Sequence, residues 1–144
     1  MAVSEHAGER TERTQPAPAP QRILMVAPYP PHRDGIAAYA AAAAYVQPSY
    51  FESFSRTIME SWLAGTPVIA NGASEVVRWH CERSGAGLLF DDDAELEQCL
   101  RFVGEAPDLA AALARPGRDY VLDNYTWPVT LDRMEASLDE WFTA

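Results

Sequence analysis

Residues 45–72, YVQPSYFESFSRTIMESWLAGTPVIANG, predict a strand, a helix and a second strand in succession. The first strand ends at Pro48, and the helix runs from about Ser55 to Ala64, where Gly65 caps its C-terminus. Residues 66–70 form the second predicted strand, with its turn at 71–72. The apolar run 23–27 has the pattern of a strand that is buried on both faces in a parallel sheet. A strand–helix–strand unit of this length predicts an α/β fold with right-handed crossovers.

The same alternation continues on both sides of this stretch. Strands are expected at 23–27 and 88–90, helices at 36–43 and 75–83, and helical structure from Asp93 onward with breaks at Pro107, Pro116 and 126–128. The fold class is therefore α/β, with a small Rossmann-like parallel sheet flanked by helices. In such sheets ligands bind where strands end and helices begin.

The composition excludes several classes of function. The 144 residues carry a formal net charge of -10, and all 11 basic residues are Arg. Without Lys the chain has neither a P-loop nor Schiff-base chemistry. Because the acidic surface repels phosphate backbones and anionic lipids, we expect no nucleic-acid partner and no membrane docking. Cys81 and Cys99 lack the spacing of a zinc site and fit a reducing compartment, so a cytoplasmic location is expected.

The first 21 residues differ from the rest of the chain. Residues 1–21 are polar and then rich in alternating Pro and Ala. Such a segment buries too little apolar surface to offset its ordering entropy, so a disordered tail is predicted. No apolar run in the sequence is long enough for a signal peptide or a membrane span.

Two carboxylates, Glu52 and Glu60, flank the start of the predicted helix. The first-turn N–H groups between them have no partner within the helix and favour an anion such as a diphosphate. Carboxylates beside these donors accept hydrogen bonds from sugar or ribose hydroxyls, so the arrangement suits a nucleotide sugar. The same spacing recurs at Glu97 and Glu105, where it predicts a solvated helix face. By spacing alone, a ligand site and a solvated face are both open.

Two further groups of residues could carry chemistry. Asp91-Asp92-Asp93 matches an Asp-x-Asp metal site, but it joins a strand to a helix, so helix capping is the favoured interpretation and no metal is expected. His32 lies in the first loop after a strand. His32 could act there in proton transfer or phosphate binding, or it could have no functional role, and the sequence leaves both interpretations open.

Residues 46–70 resemble the signature of retaining glycosyltransferase family 4, V-x-P-S-x-x-E-G-F-G-x-x-x-x-E-A-x-A-x-G-x-P-V-I-A. The segments 75–77, 87–90 and 120–127 continue the resemblance in register. In addition, residues 22–39 are similar to the first strand and glycine loop of the family's other domain. The resemblance thus extends over most of the chain.

The resemblance implies transfer of a hexose from a nucleoside-diphosphate sugar to an unknown acceptor hydroxyl, with retention of configuration and without a metal or cofactor. Glu52 would be the catalytic residue that faces the donor sugar's hydroxyls, and Glu60 would bind the ribose. Backbone N–H groups around Phe54 would hold sugar and diphosphate, and Gly35 would let the first loop approach the phosphates. The substrate-binding residues are then Ser53, Phe54, Ser55, Arg56, Glu60 and Gly35.

The chain departs from the family pattern in length and in two glycines. Family members have two Rossmann-like domains, whereas the resemblance here implies a donor-binding half-domain, 45–144, joined to a remnant first βα unit with a glycine loop, 22–44. Most of the N-terminal domain, the start of the C-terminal domain and the family's Arg/Lys pair for the diphosphate are expected to be missing. Ser53 and Ser55 replace the usual glycines. We therefore expect little activity from this chain alone, and the alternative is a non-catalytic α/β binding or self-association module.

Overall fold

Four parallel strands form a single sheet in the order β1-β2-β3-β4. The structure is a computed structural model that describes residues 23–25 and 35–143. The strands are β1 (Ile23–Met25), β2 (Ala44–Gln47), β3 (Val68–Asn71) and β4 (Leu88–Phe90). Met25 pairs with Val46, Val46 with Ile69, and Ile69 with Leu88, so one row of residues crosses the whole sheet. The predicted Rossmann-like α/β fold is confirmed.

The described part of the chain has seven helices. They are α1 (Gly35–Ala40), α2 (Arg56–Leu63), α3 (Glu75–Ser84), α4 (Asp93–Glu105), α5 (Pro107–Ala112), α6 (Ala114–Asn124) and α7 (Trp127–Thr143). Of these, α1 to α6 pack around the sheet. Gly65 has a φ of 79° just after α2, as expected of a left-handed residue that ends a helix. No helix among the described residues is long and apolar enough to cross a membrane.

Alternating side chains along the strands supply two hydrophobic cores, one on each face of the sheet. Tyr45, Val68 and Ala70 pack on the face covered by α1, α2, α3 and α6. Ala44, Val46 and Ile69 pack on the opposite face, against α4 and α5. Most strand residues are apolar because the strands are buried between the two cores, so short apolar runs indicated the strands, although Gln47 and Asn71 are buried polar residues.

The predicted helix break at Pro116 is wrong. Helix α6 begins at Ala114, so Pro116 lies in its first turn, where the missing N–H has no partner to lose. Pro107, by contrast, is the first residue of α5, and Pro128 is the second residue of α7, so breaks at these positions are confirmed. The predicted disordered tail, 1–21, and His32 lie outside the described residues.

Candidate functional site

The loops that follow β2 and β3 enclose two adjoining grooves at one edge of the sheet. The first groove has a volume of about 540 Å³ and lies between residues 50–53 and 73–76. The second, of about 500 Å³, shares Ser53, Glu75 and Val76 with the first and continues over Phe54 and Trp79. Parallel α/β sheets bind ligands at this edge, where strands end.

Glu52 lines the first groove and is held there by a hydrogen bond from the strand below it. The Gln47 amide, at the end of β2, donates to Oε1 of Glu52 and accepts from the buried hydroxyl of Tyr45. Thr57 Oγ1 also donates to Gln47 Oε1, at 3.4 Å. Burial raises the pKa of Tyr45 to about 12, so its hydroxyl stays protonated and remains a donor. Gln47 thus fixes the position of the Glu52 carboxylate at the groove.

Ser55, immediately before α2, has a left-handed backbone with φ 59° and ψ 58°. Among the non-glycine residues that the structure describes, it alone has a positive φ. A left-handed residue followed by right-handed ones turns successive N–H groups toward one side, and such a concavity binds anions. Ser53, Phe54 and Arg56 are exposed around this turn, whereas Ser55 is buried.

Replacing Ser55 by glycine is expected to raise the free energy of unfolding by about 1 kcal/mol. Left-handed geometry costs a residue with a Cβ about 1–2 kcal/mol, and this gain exceeds the entropy that glycine loses on folding. The buried Ser55 hydroxyl also has no hydrogen-bond partner, so its removal breaks no bond. Urea denaturation measures the change.

Ser53→Gly is the matched control, because Ser53 lies in the same loop, is exposed and has no positive φ. It should be neutral or slightly destabilising. If Ser53→Gly and Ser55→Gly changed the free energy of unfolding equally, the backbone strain at Ser55 would be contradicted.

Glu60 is half-buried on α2, at the side that faces α1. Burial first, and then the charge of Glu60, raises the pKa of Tyr39. The charges of Glu52 and Glu60 both act on the Tyr45 hydroxyl, so the two carboxylates lie within electrostatic reach of one buried group. Glu52 and Ser55 precede α2, Glu60 is its fifth residue, and of these three only Glu52 lines either of the two grooves.

Gly35 is the first residue of α1, a short helix that packs beside α2. The hydroxyl of Thr66, two residues before β3, donates a hydrogen bond to the backbone carbonyl of Tyr39, near the end of α1, at 2.6 Å. Helix α1 therefore runs antiparallel to the strands, and Gly35 lies toward the same edge as the grooves.

An aromatic cluster beneath the second groove was not predicted from the sequence. The Phe54 ring packs edge-on against His80 and Tyr125, with ring centroids 5.3 Å and 5.2 Å apart. His80 Nδ1 and the Tyr120 hydroxyl are 2.9 Å apart, and the Tyr120 and Tyr125 hydroxyls are also 2.9 Å apart. Burial lowers the pKa of His80, which favours the neutral imidazole. The cluster anchors Phe54, in the loop before α2, to His80 of α3 and to Tyr125 at the end of α6.

The aspartate run after β4 is a helix cap, as predicted. Asp92 accepts a hydrogen bond from the backbone N–H of Glu95 at 2.9 Å, and Asp91 forms an ion pair with Arg78 at 2.8 Å. The described residues contain no group of three or more His, Cys, Asp or Glu side chains that could hold a metal ion.

A parallel sheet with a groove at the ends of its strands defines a Rossmann-like α/β protein. The chain belongs to the glycosyl transferase-like family, which matches it over residues 14–136. No curated protein and no solved structure matches the chain significantly. Family membership identifies a glycosyltransferase-like domain, for which a sugar donor and an acceptor are implied.

Proposed function

We propose that the chain binds a nucleoside-diphosphate sugar at the start of α2, and that its reaction is transfer of the hexose to an acceptor hydroxyl with retention of configuration. The observation that carries this proposal is the left-handed turn at Ser55, which lies between Glu52 and Glu60. Family membership over residues 14–136 supports transferase chemistry of this general kind.

The diphosphate occupies the concavity at Ser55 in this proposal. The backbone N–H groups of the first turn of α2 point toward the anion, and the positive end of the helix dipole adds to the attraction. Arg56 is exposed on that first turn and supplies a full positive charge. When the sugar leaves, these groups stabilise the charge that develops on the departing diphosphate.

The hexose then lies in the first groove, against Glu52. Its hydroxyls donate hydrogen bonds to the Glu52 carboxylate. This carboxylate accepts one hydrogen bond from Gln47 and can accept further ones. The groove volume of about 540 Å³ is sufficient for a hexose and part of the diphosphate. Ser53 and Phe54 contribute backbone groups at the rim.

The nucleoside extends in the opposite direction along α2, toward α1. In this proposal Glu60, half-buried on α2, accepts hydrogen bonds from the ribose hydroxyls, as acidic residues do in dinucleotide folds. Gly35, the first residue of α1, lies beside the phosphates in this proposal, where the lack of a side chain leaves room for them. The base and the kind of hexose are not part of the proposal.

We also propose that this chain alone binds nucleotide weakly and transfers little sugar. A net charge of -10 opposes the approach of an anionic donor, and Arg56 is the cation on the first turn of α2. Loss of one charge-stabilising donor typically lowers the rate by about 10²–10³. The family resemblance implies two cationic side chains that bind the diphosphate, whereas the proposed site in this chain has Arg56.

Replacing Glu60 by alanine is expected to weaken binding of UDP, GDP or ADP about 10-fold. Hydrogen bonds to a charged acceptor are worth about 1.5–3 kcal/mol, and the ribose would lose them. NMR titration of the full chain with each nucleotide, up to millimolar concentration, measures the change.

Glu105→Ala removes an exposed helical carboxylate on α4 and is the matched control. It should leave the affinity unchanged. If no nucleotide shifts any resonance at millimolar concentration, the donor site is refuted and a non-catalytic α/β module takes its place.

A further inference from the structure

Helix α7 projects from the body of the protein with an apolar stripe that nothing in the described chain covers. Every residue from Thr130 to Phe142 is exposed. Its connection to the rest of the fold includes Arg133, whose guanidinium donates to the backbone carbonyl of Asn124 at 3.1 Å and to the Asn124 side chain at 3.0 Å. The apolar stripe, called here the α7 seam, comprises Trp127, Leu131, Met134, Leu138 and Trp141, which are exposed by 77%, 48%, 59%, 36% and 78%.

The spacing of the α7 seam is that of a helix that pairs with another helix. Its members follow one another at intervals of four, three, four and three residues, which is the a/d pattern of a heptad repeat. A helix that packs on a sheet or a globular core has a wider apolar face. Phe142, 86% exposed, extends the seam at its end.

The helix also lacks the features that would stabilise it alone. In proteins, most of the stability of a helix comes from packing of its apolar face and not from helix propensity. The last turn of α7 has no basic residue, and Asp139 and Glu140 stand near the negative end of the helix dipole. Packing of the seam against a partner provides the stabilisation that the helix itself does not.

We propose that the partner is a second copy of this chain, and that the two copies pair through their α7 seams. A fully buried aromatic side chain covers about 150–250 Å². On this basis the exposed surface of the seam together with Phe142 is roughly 700 Å². A standard interface buries about 800 Å² on each partner, and the largest apolar patch on a typical monomer is about 300–600 Å². The seam therefore offers the area that a two-fold dimer needs.

The charges of α7 permit this pairing although the chain is acidic. The positions that flank the seam are Pro128, Thr130, Glu135, Ser137 and Phe142, so a single charge stands beside it. Asp132, Arg133, Asp139 and Glu140 occupy the opposite side of the helix. A lipid surface fits less well, because helices that bind membranes carry several basic residues on the polar face and α7 has only Arg133.

Sedimentation equilibrium of the full chain tests the proposal. The wild-type chain should have about twice the 15.9 kDa mass of one copy at tens of micromolar. Met134→Glu places a charge at the centre of the seam and should raise the dissociation constant of the dimer at least about 10-fold. Ala136→Glu adds the same charge in the same helical turn but on the opposite side, and should leave it within about 2-fold.

Trp141→Gln removes an aromatic anchor without adding charge, and it should weaken the dimer as well. Helicity measured by circular dichroism should fall with dissociation in both seam variants. A wild-type chain that stays at 15.9 kDa up to about 1 mM would overturn the proposal. Equal weakening by Met134→Glu and Ala136→Glu would overturn it too, because general charge repulsion and not the seam would then control association.

Discussion

Replacing Gly117 by alanine is expected to lower the free energy of unfolding by about 2–3 kcal/mol. Gly117 is buried in α6, where this helix packs against α2. A Cβ at this position would lie 2.8 Å from Cδ1 of the Trp62 ring and closer still to Cγ and Cδ2. The ring is fully buried and rigid, so the two helices must separate to admit the methyl group.

The sign of this effect distinguishes packing from helix propensity. Alanine is a better helix former than glycine by about 1 kcal/mol, so propensity alone predicts stabilisation. Gly65→Ala provides the comparison, because a Cβ at Gly65 meets nothing within 4 Å and only the positive φ of 79° opposes it. That variant should cost about 1 kcal/mol. Urea denaturation that finds Gly117→Ala neutral or stabilising would show that α2 and α6 are farther apart than described.

Replacing Gln47 by methionine is expected to lower the free energy of unfolding by about 2 kcal/mol and to weaken nucleotide-sugar binding about 10-fold. The buried Tyr45 hydroxyl loses its acceptor, and an unsatisfied buried donor costs about 1–3 kcal/mol. At the same time Glu52 loses the amide that orients it. Denaturation and donor titration measure the two effects separately.

The double variant Tyr45→Phe/Gln47→Met separates positioning from stability. Replacing both partners of a buried hydrogen bond by apolar groups is close to neutral, so most of the stability should return. Glu52 remains without its donor, so the weak binding should persist. Full recovery of binding in the double variant would show that Gln47 affects the site only through folding.

The strands and helices could be predicted because their apolar residues repeat at local intervals. The β4 prediction, 88–90, agrees with the structure residue for residue, since a run bounded by Gly87 and three aspartates leaves little freedom. Pro116 misled the prediction, because a proline in a first turn and a proline that breaks a helix look alike until the helix start is known.

The candidate site could be predicted only in part. Glu52 and Ser55 precede α2 and Glu60 lies within it, so their order along this segment follows from the sequence, while their joint role as a site stays a prediction. His80, Tyr120 and Tyr125 come from other elements, and only the packing of α3 against α6 brings them to Phe54. The sequence did contain a signal for Gln47 that the prediction missed. Gln47 is a polar amide in β2, a strand whose residues are all buried, and such a group needs hydrogen-bond partners.

The segment between β2 and α2 is fastened at two points to two different layers of the protein. Gln47 ties it to the sheet through Glu52, and the ring of Phe54 ties it to the helices on one side. A segment held at two points loses little conformational freedom when a ligand binds, so in the proposed donor binding this segment acts as a preformed surface. The selectivity of the proposed site is therefore set by the protein's structure before any ligand binds. Substitutions of Gln47 or Phe54, which hold the segment in place, are expected to alter this selectivity as effectively as substitutions of the groups that contact the ligand.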